Sequence, residues 1–172
     1  MESDTGAASL KQNFILQQGL GTPSTATCPL QYSALQFQPR VVALVLLVAV
    51  LLQEPWIFLA LGATLWWSAL LPRLNPFEAV YNRTLAIRPG GIRLSAAPPP
   101  RRFAQGMAGT FLLGIGTSLL LGWTTTAHVL EGLLIVAVAA LMAGFCLGSF
   151  IFHLLSGRAT FATRTLPWAR AA

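Results

Sequence analysis

Four side chains in this sequence are of types that do chemistry: two cysteines, Cys28 and Cys146, and two histidines, His128 and His153. Two cysteines make no disulfide framework, and neither stands in a metal-ligand spacing, so free thiols in a reducing compartment are expected. If the N-terminal segment folds back, Cys28 and Cys146 form a thiol pair; the competing reading of Cys146 is a small packing residue. Either histidine is suited to ligate the metal of a haem or chlorophyll on its own, which needs one imidazole in apolar surroundings. They fall near opposite ends of one apolar run, about 37 Å apart on a continuous helix. A shared metal is therefore not expected, and interfacial hydrogen bonding is the plainer role for both.

Acids are scarce. Asp4 is the only aspartate, and Glu54 and Glu131 fall at the ends of apolar runs. No tight carboxylate pair and no nucleophile, base and orienting acid can be assembled, so no catalytic residue and no enzyme activity are expected. Ion-coupled transport leans on ionisable groups within the membrane, and these runs hold almost none.

The elements that carry these residues are apolar helices. Of 172 residues, 55% are hydrophobic and only 9% charged, well below the roughly 25% charged of a soluble domain. The composition predicts an all-α membrane protein of four transmembrane helices over about 39–53, 55–71, 103–123 and 128–155. They form two helical hairpins joined by an Arg- and Pro-rich loop, 72–102, in which residues 75–85 are suited to a short interfacial helix. Residues 1–38 read as a polar tail that would lack structure unaided, and 157–172 as a basic tail. The first helix, roughly 22 Å long, is short for a bilayer core of about 30 Å, and spans only if the bilayer thins locally, Arg40 snorkels or the helix extends upstream through Leu35 and Phe37. A first hairpin that re-enters rather than crosses is the competing reading.

All eleven cationic residues fall in the two tails, the central loop or the run ends next to them, while the two short turns carry only Glu54 and Glu131. That asymmetry predicts both termini on the cytoplasmic side of a bacterial inner membrane, with the arginines facing anionic lipid. No basic run is interleaved with aromatics, so nucleic acid is not an expected partner.

Small residues recur every fourth position in the third run, at Gly106, Thr110, Gly114, Ser118 and Gly122. A second series, Ala140, Gly144 and Gly148, follows in the fourth. Such stripes let helices approach closely in lipid, and packing of the third and fourth helices on each other is the simplest use. A partner helix, a pigment or a bound lipid is the alternative.

Several short motifs then recur in a familiar order: Pro39-Arg40-Val41-Val42, Pro72-Arg73 leading into Asn75-Pro76-Phe77, Arg102-Phe103-Ala104-Gln105-Gly106, and Gly144-Phe145-Cys146-Leu147-Gly148. In this arrangement, over roughly residues 28–155, the chain resembles a bacterial family of four-helix integral membrane proteins classed only as a domain of unknown function. Members of that family often carry a second cysteine soon after the one in the last motif, where this chain has Ser149. The resemblance implies a fold and topology and no activity. The function expected is that of a non-catalytic accessory subunit of a larger, energy-transducing membrane complex, photosynthetic or respiratory. It would act by packing on other membrane subunits and by contacts with lipid or cofactor. A thiol-dependent redox or sulfur-handling protein, and a single-histidine chlorophyll or haem protein, are the alternatives.

Overall fold

A computed structural model describes residues 2–24, 26–87, 91–166 and 169, with side chains from residue 9 onward. Arg88, Trp168 and Arg170 lie outside the described residues, as do the side chains of Glu2 and Asp4. Among the described residues every regular element is a helix: α1 Glu2–Gln17, α2 Cys28–Leu35, α3 Phe37–Leu52, α4 Pro55–Leu70, α5 Pro76–Thr84, α6 Pro99–Leu120, α7 Thr124–Met142, α8 Leu147–Leu155 and α9 Ala159–Arg164. Valine-rich stretches such as Val41–Val50 favour strands in water. In lipid a helix satisfies every backbone group within the segment, and that requirement overrides the local preference.

Three segments are long and apolar enough to cross a membrane: Cys28–Leu52, Pro99–Leu120 and Thr124–Met142. The first resolves the length shortfall of the first run, because α2 and α3 form one 25-residue unit, about 37 Å long, interrupted only at Gln36. Pro39 explains the interruption: it has no N–H to donate to the Leu35 carbonyl four residues back. The second apolar run, α4, is a shorter helix of 16 residues. It packs most extensively on α6.

The N-terminal tail departs from expectation, since it holds two helices, α1 and α2. Phe14 and Ile15 of α1 are almost fully buried and form a cluster with Leu35 and Cys146. Both tails are tied together, as Asn13 Nδ2 donates to the carbonyls of Leu166 at 3.2 Å and Ala169 at 3.0 Å. The apolar patch Phe14–Leu16 supplies the burial that an average over the tail's polar composition conceals.

The fourth run also differs. One helix over 128–155 is expected, but the chain stops at Met142 and restarts at Leu147. Gly144 has φ +93°, and the Phe145 and Gly144 amides donate back to the carbonyls of Ala140 and Leu141, a helix-terminating Schellman arrangement. The same arrangement at Gly122, φ +73°, ends α6. Two of the eight stripe residues are therefore helix terminators.

The remaining stripe residues do not share one partner. A four-residue step advances about 40° on a helix, so the row from Gly106 to Ser118 winds across a wide arc. Gly106 faces Trp66 and Ala69 of α4, Gly114 faces Leu130 of α7, Ser118 is buried, and the Thr110 hydroxyl donates to the Gly106 carbonyl. Ala140 is half-buried near the end of α7. Gly148 sits against Ala104 of α6. Thus α6 does pack on α7, yet its most extensive packing is on α4, through glycines outside the stripe. A Cβ added to Gly109 would stand 2.8 Å from Trp66 and 3.1 Å from the Gly62 carbonyl, and one on Gly116 2.7 Å from Leu59. A seven-residue step, as from Gly109 to Gly116, holds one face far better than a four-residue step, and that spacing was the legible signal.

Candidate functional site

The arginine-bearing start of α6 carries a charge into the protein. Arg101 and Glu78 are both buried and form an ion pair, with Arg101 Nη1 3.3 Å from Glu78 Oε1. Glu78 comes from α5, whose start is set by Asn75: its side chain accepts from the Phe77 amide at 3.0 Å and from the Ser68 hydroxyl at 3.2 Å. Burial pushes the Glu78 carboxyl above the usual carboxylate range, and the Arg101 charge pulls part of that rise back. The neighbouring Arg102 turns the other way and its Nε donates to the Ala69 carbonyl at 2.7 Å, neutralising the C-terminal end of α4. Asn82 fastens the loop after α5 by bonding both backbone groups of Leu94.

Two glutamines extend the cluster. Gln38 Oε1 accepts from Arg101 Nη2 at 3.0 Å and from Gln105 Nε2 at 2.8 Å, both within the interior. Arginine only donates, so the Gln38 atom facing it is oxygen, and the Gln105 atom facing that oxygen is nitrogen. Gln105 Oε1 is consequently left as a buried acceptor with no partner. Arg101, Gln38, Gln105, Gln18 and Cys146 line a cavity of about 80 Å³ whose other walls are apolar.

Cys146 stands at the break between α7 and α8, directly before the first residue of α8. Its amide donates to Gln17 Oε1 at 2.8 Å, and its sulfur lies 3.3 Å from the Ser149 hydroxyl, whose single proton also has the Pro100 carbonyl at 3.3 Å. The break therefore aims the thiol inward beside the Ser149 hydroxyl, while α1 covers it. Cys28 is half-buried beside the same cluster. Both cysteines are free thiols, so folding back of the tail brings them to one cluster without joining them.

The histidines part company. His153 is buried, its Nε2 3.1 Å from the Gln17 carbonyl and its ring edge-on to Phe161 at 4.8 Å, while Nδ1 has no partner. Ligation of a haem or chlorophyll metal through Nε2 requires the contact with Gln17 to open. His128 stands at the other end of the bundle, its side chain 60% exposed, with Nδ1 3.1 Å from Glu131 Oε2. Glu131 also accepts from Gln53 Nε2 at 3.2 Å, which joins the turn after α3 to α7. Gln53 holds the left-handed conformation that closes α3. Among the described residues no group of three or more histidines, cysteines or acids is placed to hold a metal ion.

Sequence reasoning missed Arg101, Glu78, Gln38 and Gln105 as a group. Arg101 read as a loop residue facing lipid, and its partners lie 23, 63 and 4 positions away along the chain. A signal was present in Gln105, a polar residue one turn inside an apolar helix.

These features define an all-helical membrane protein with a buried charged cluster and a thiol at its arginine-bearing end. Residues 31–156 match the family described as a domain of unknown function (DUF4395), and the chain belongs to it. No curated protein and no solved structure matches the chain.

Proposed function

We propose that this chain is a thiol-dependent membrane protein in which Cys146 is the reacting group and the Arg101 cluster forms its binding site. One observation carries the reading: the helix break holds Cys146 by its amide, with its sulfur beside the Ser149 hydroxyl, on the wall of a cavity that it shares with a buried arginine. Four crossings, with both termini and the basic residues on the cytoplasmic side of a bacterial inner membrane, complete the topology. In that arrangement the thiol lies toward the reducing side, where a free cysteine persists.

The step assigned to Cys146 is thiol–disulfide exchange with a small disulfide supplied as co-reactant. The Cys146 sulfur gives up its proton and attacks one sulfur of the disulfide. A new S–S bond forms to Cys146, the original S–S bond breaks, and the expelled thiolate takes up a proton. The Ser149 hydroxyl lies beside the sulfur, and Gln17 fixes the backbone from which it projects. The purified protein, incubated with 2-hydroxyethyl disulfide, should gain one mixed disulfide on Cys146 by peptide mass analysis, and Cys28→Ser should gain it equally. Modification confined to Cys28, or equal in native and denatured protein, would overturn the assignment.

A second reading, a non-catalytic accessory subunit of a membrane complex, draws on α7. Only 17% of its spanning window is buried, against 33% and 39% in the other two spans. Val136→Trp on its exposed face should then release co-purifying membrane subunits while insertion persists. Unchanged co-purification would count against it.

A further inference from the structure

A groove of about 280 Å³ runs between α6, α7 and α8, walled almost entirely by apolar side chains. Exposed Leu133 and Val136 stand on its rim, so it opens toward the lipid-facing surface. The groove and the inner cavity share Ala104, Ala108, Val138, Leu141 and Cys146, so the two adjoin along these side chains, with the charged cluster on the inner side. At the inner end stands Gln105, more than nine-tenths buried, with Oε1 unpartnered. The hydrogen bonds from Arg101 through Gln38 fix its orientation, so it presents an acceptor that only a donor can satisfy. The cluster is already charge-balanced by Glu78, so an anionic head would add an uncompensated buried charge and set acceptor against acceptor. The inner cavity, with room for only a few waters, admits a hydroxyl on one or two carbons and excludes a phospholipid headgroup.

We infer that the groove and cavity bind a neutral lipid alcohol, with its tail along α6, α7 and α8 and its hydroxyl donating to Gln105 Oε1. Glycerides and isoprenoid alcohols share this chemistry. The inference uses the site assigned above to Cys146 chemistry but does not need the thiol to react.

The test is native mass spectrometry of the detergent-purified full chain with monoolein, farnesol, oleate or lysophosphatidic acid. One monoolein or farnesol per chain should be retained, and the better of the two distinguishes a glyceride from an isoprenoid occupant. Oleate and lysophosphatidic acid should bind at least tenfold more weakly, a comparison made on the unaltered protein. Gln105→Leu should weaken the alcohol by about tenfold, the worth of one buried hydrogen bond. Ala137→Phe, which fills the groove, should abolish retention. Ala137→Phe should lose the lipid while Cys146 still gains the mixed disulfide, so this inference and the thiol assignment fail separately. Equal retention of oleate, unchanged affinity in Gln105→Leu, or an inner cavity holding water alone would overturn it.

Discussion

Each end of the bundle buries one glutamate, and the two are treated differently. Glu131 is met by the neutral amide of Gln53 and by His128, whose ring lies mostly in solvent. Glu78 is met by a buried arginine, which in turn holds two glutamines against a cavity. The first arrangement links two helices and stops there. The second keeps a permanent charge out of water and passes its polarity inward through Gln38 to an acceptor with no partner. Folding alone has no use for that last group, because an apolar residue in the place of Gln105 would fill the same space at lower cost. The difference separates a fastening from the candidate site.

Removing the cation should break this contrast most severely. Arg101→Met leaves Glu78 buried without its countercharge, and a loss of about 3–5 kcal/mol is expected for such a broken pair. Replacing both partners, Arg101→Met with Glu78→Met, should recover most of it, since the desolvation cost of both charges disappears. Chemical unfolding in detergent measures all three proteins. A double variant no better than the single one would show that the pair organises the end of α6 and not only its charge.

The corresponding change at the opposite end should cost less. Gln53→Leu removes a neutral donor from Glu131 but leaves His128, so a loss of about 1–3 kcal/mol is expected by the same measurement. A cost equal to that of Arg101→Met would erase the distinction drawn between the ends.

Much of the scaffold is legible in the sequence, and the reason is physical. A long apolar run in lipid satisfies its backbone within a helix, so the all-helical class follows from composition, whereas the second turn, expected at 124–127, is occupied by the start of α7. Breaks within a run depend on single backbone conformations, as at Gly144, where an apolar average hides the terminator between Met142 and Leu147. The tails were obscured for a related reason: Phe14 and Ile15 matter through what they cover, and only the folded chain supplies the cover. Of the candidate site, Cys146 was visible as a residue type in a motif. Its surroundings were not, because Gln17, Arg101 and Gln38 reach one place from three separate segments.

The finest test of the contrast is titration of Glu78, which lies outside the candidate membrane spans. Its carboxyl is held above the ordinary range, chiefly by burial, so the folded chain binds this proton more tightly than the unfolded one. The contribution to stability is therefore complete below the unfolded pKa and is lost as pH rises through the higher folded value. At most one proton is involved, which limits the slope to about 1.4 kcal/mol per pH unit, and Arg101 offsets part of it. Thermal unfolding in detergent from acid to neutral pH should show the unaltered protein losing stability relative to Glu78→Gln as pH rises. Gln53→Leu should keep the slope of the unaltered protein, because it leaves Glu78 in place. If Glu78→Gln retains the full slope, the titrating group lies elsewhere, and the charged cluster is held together by the ion pair without the strain of burial.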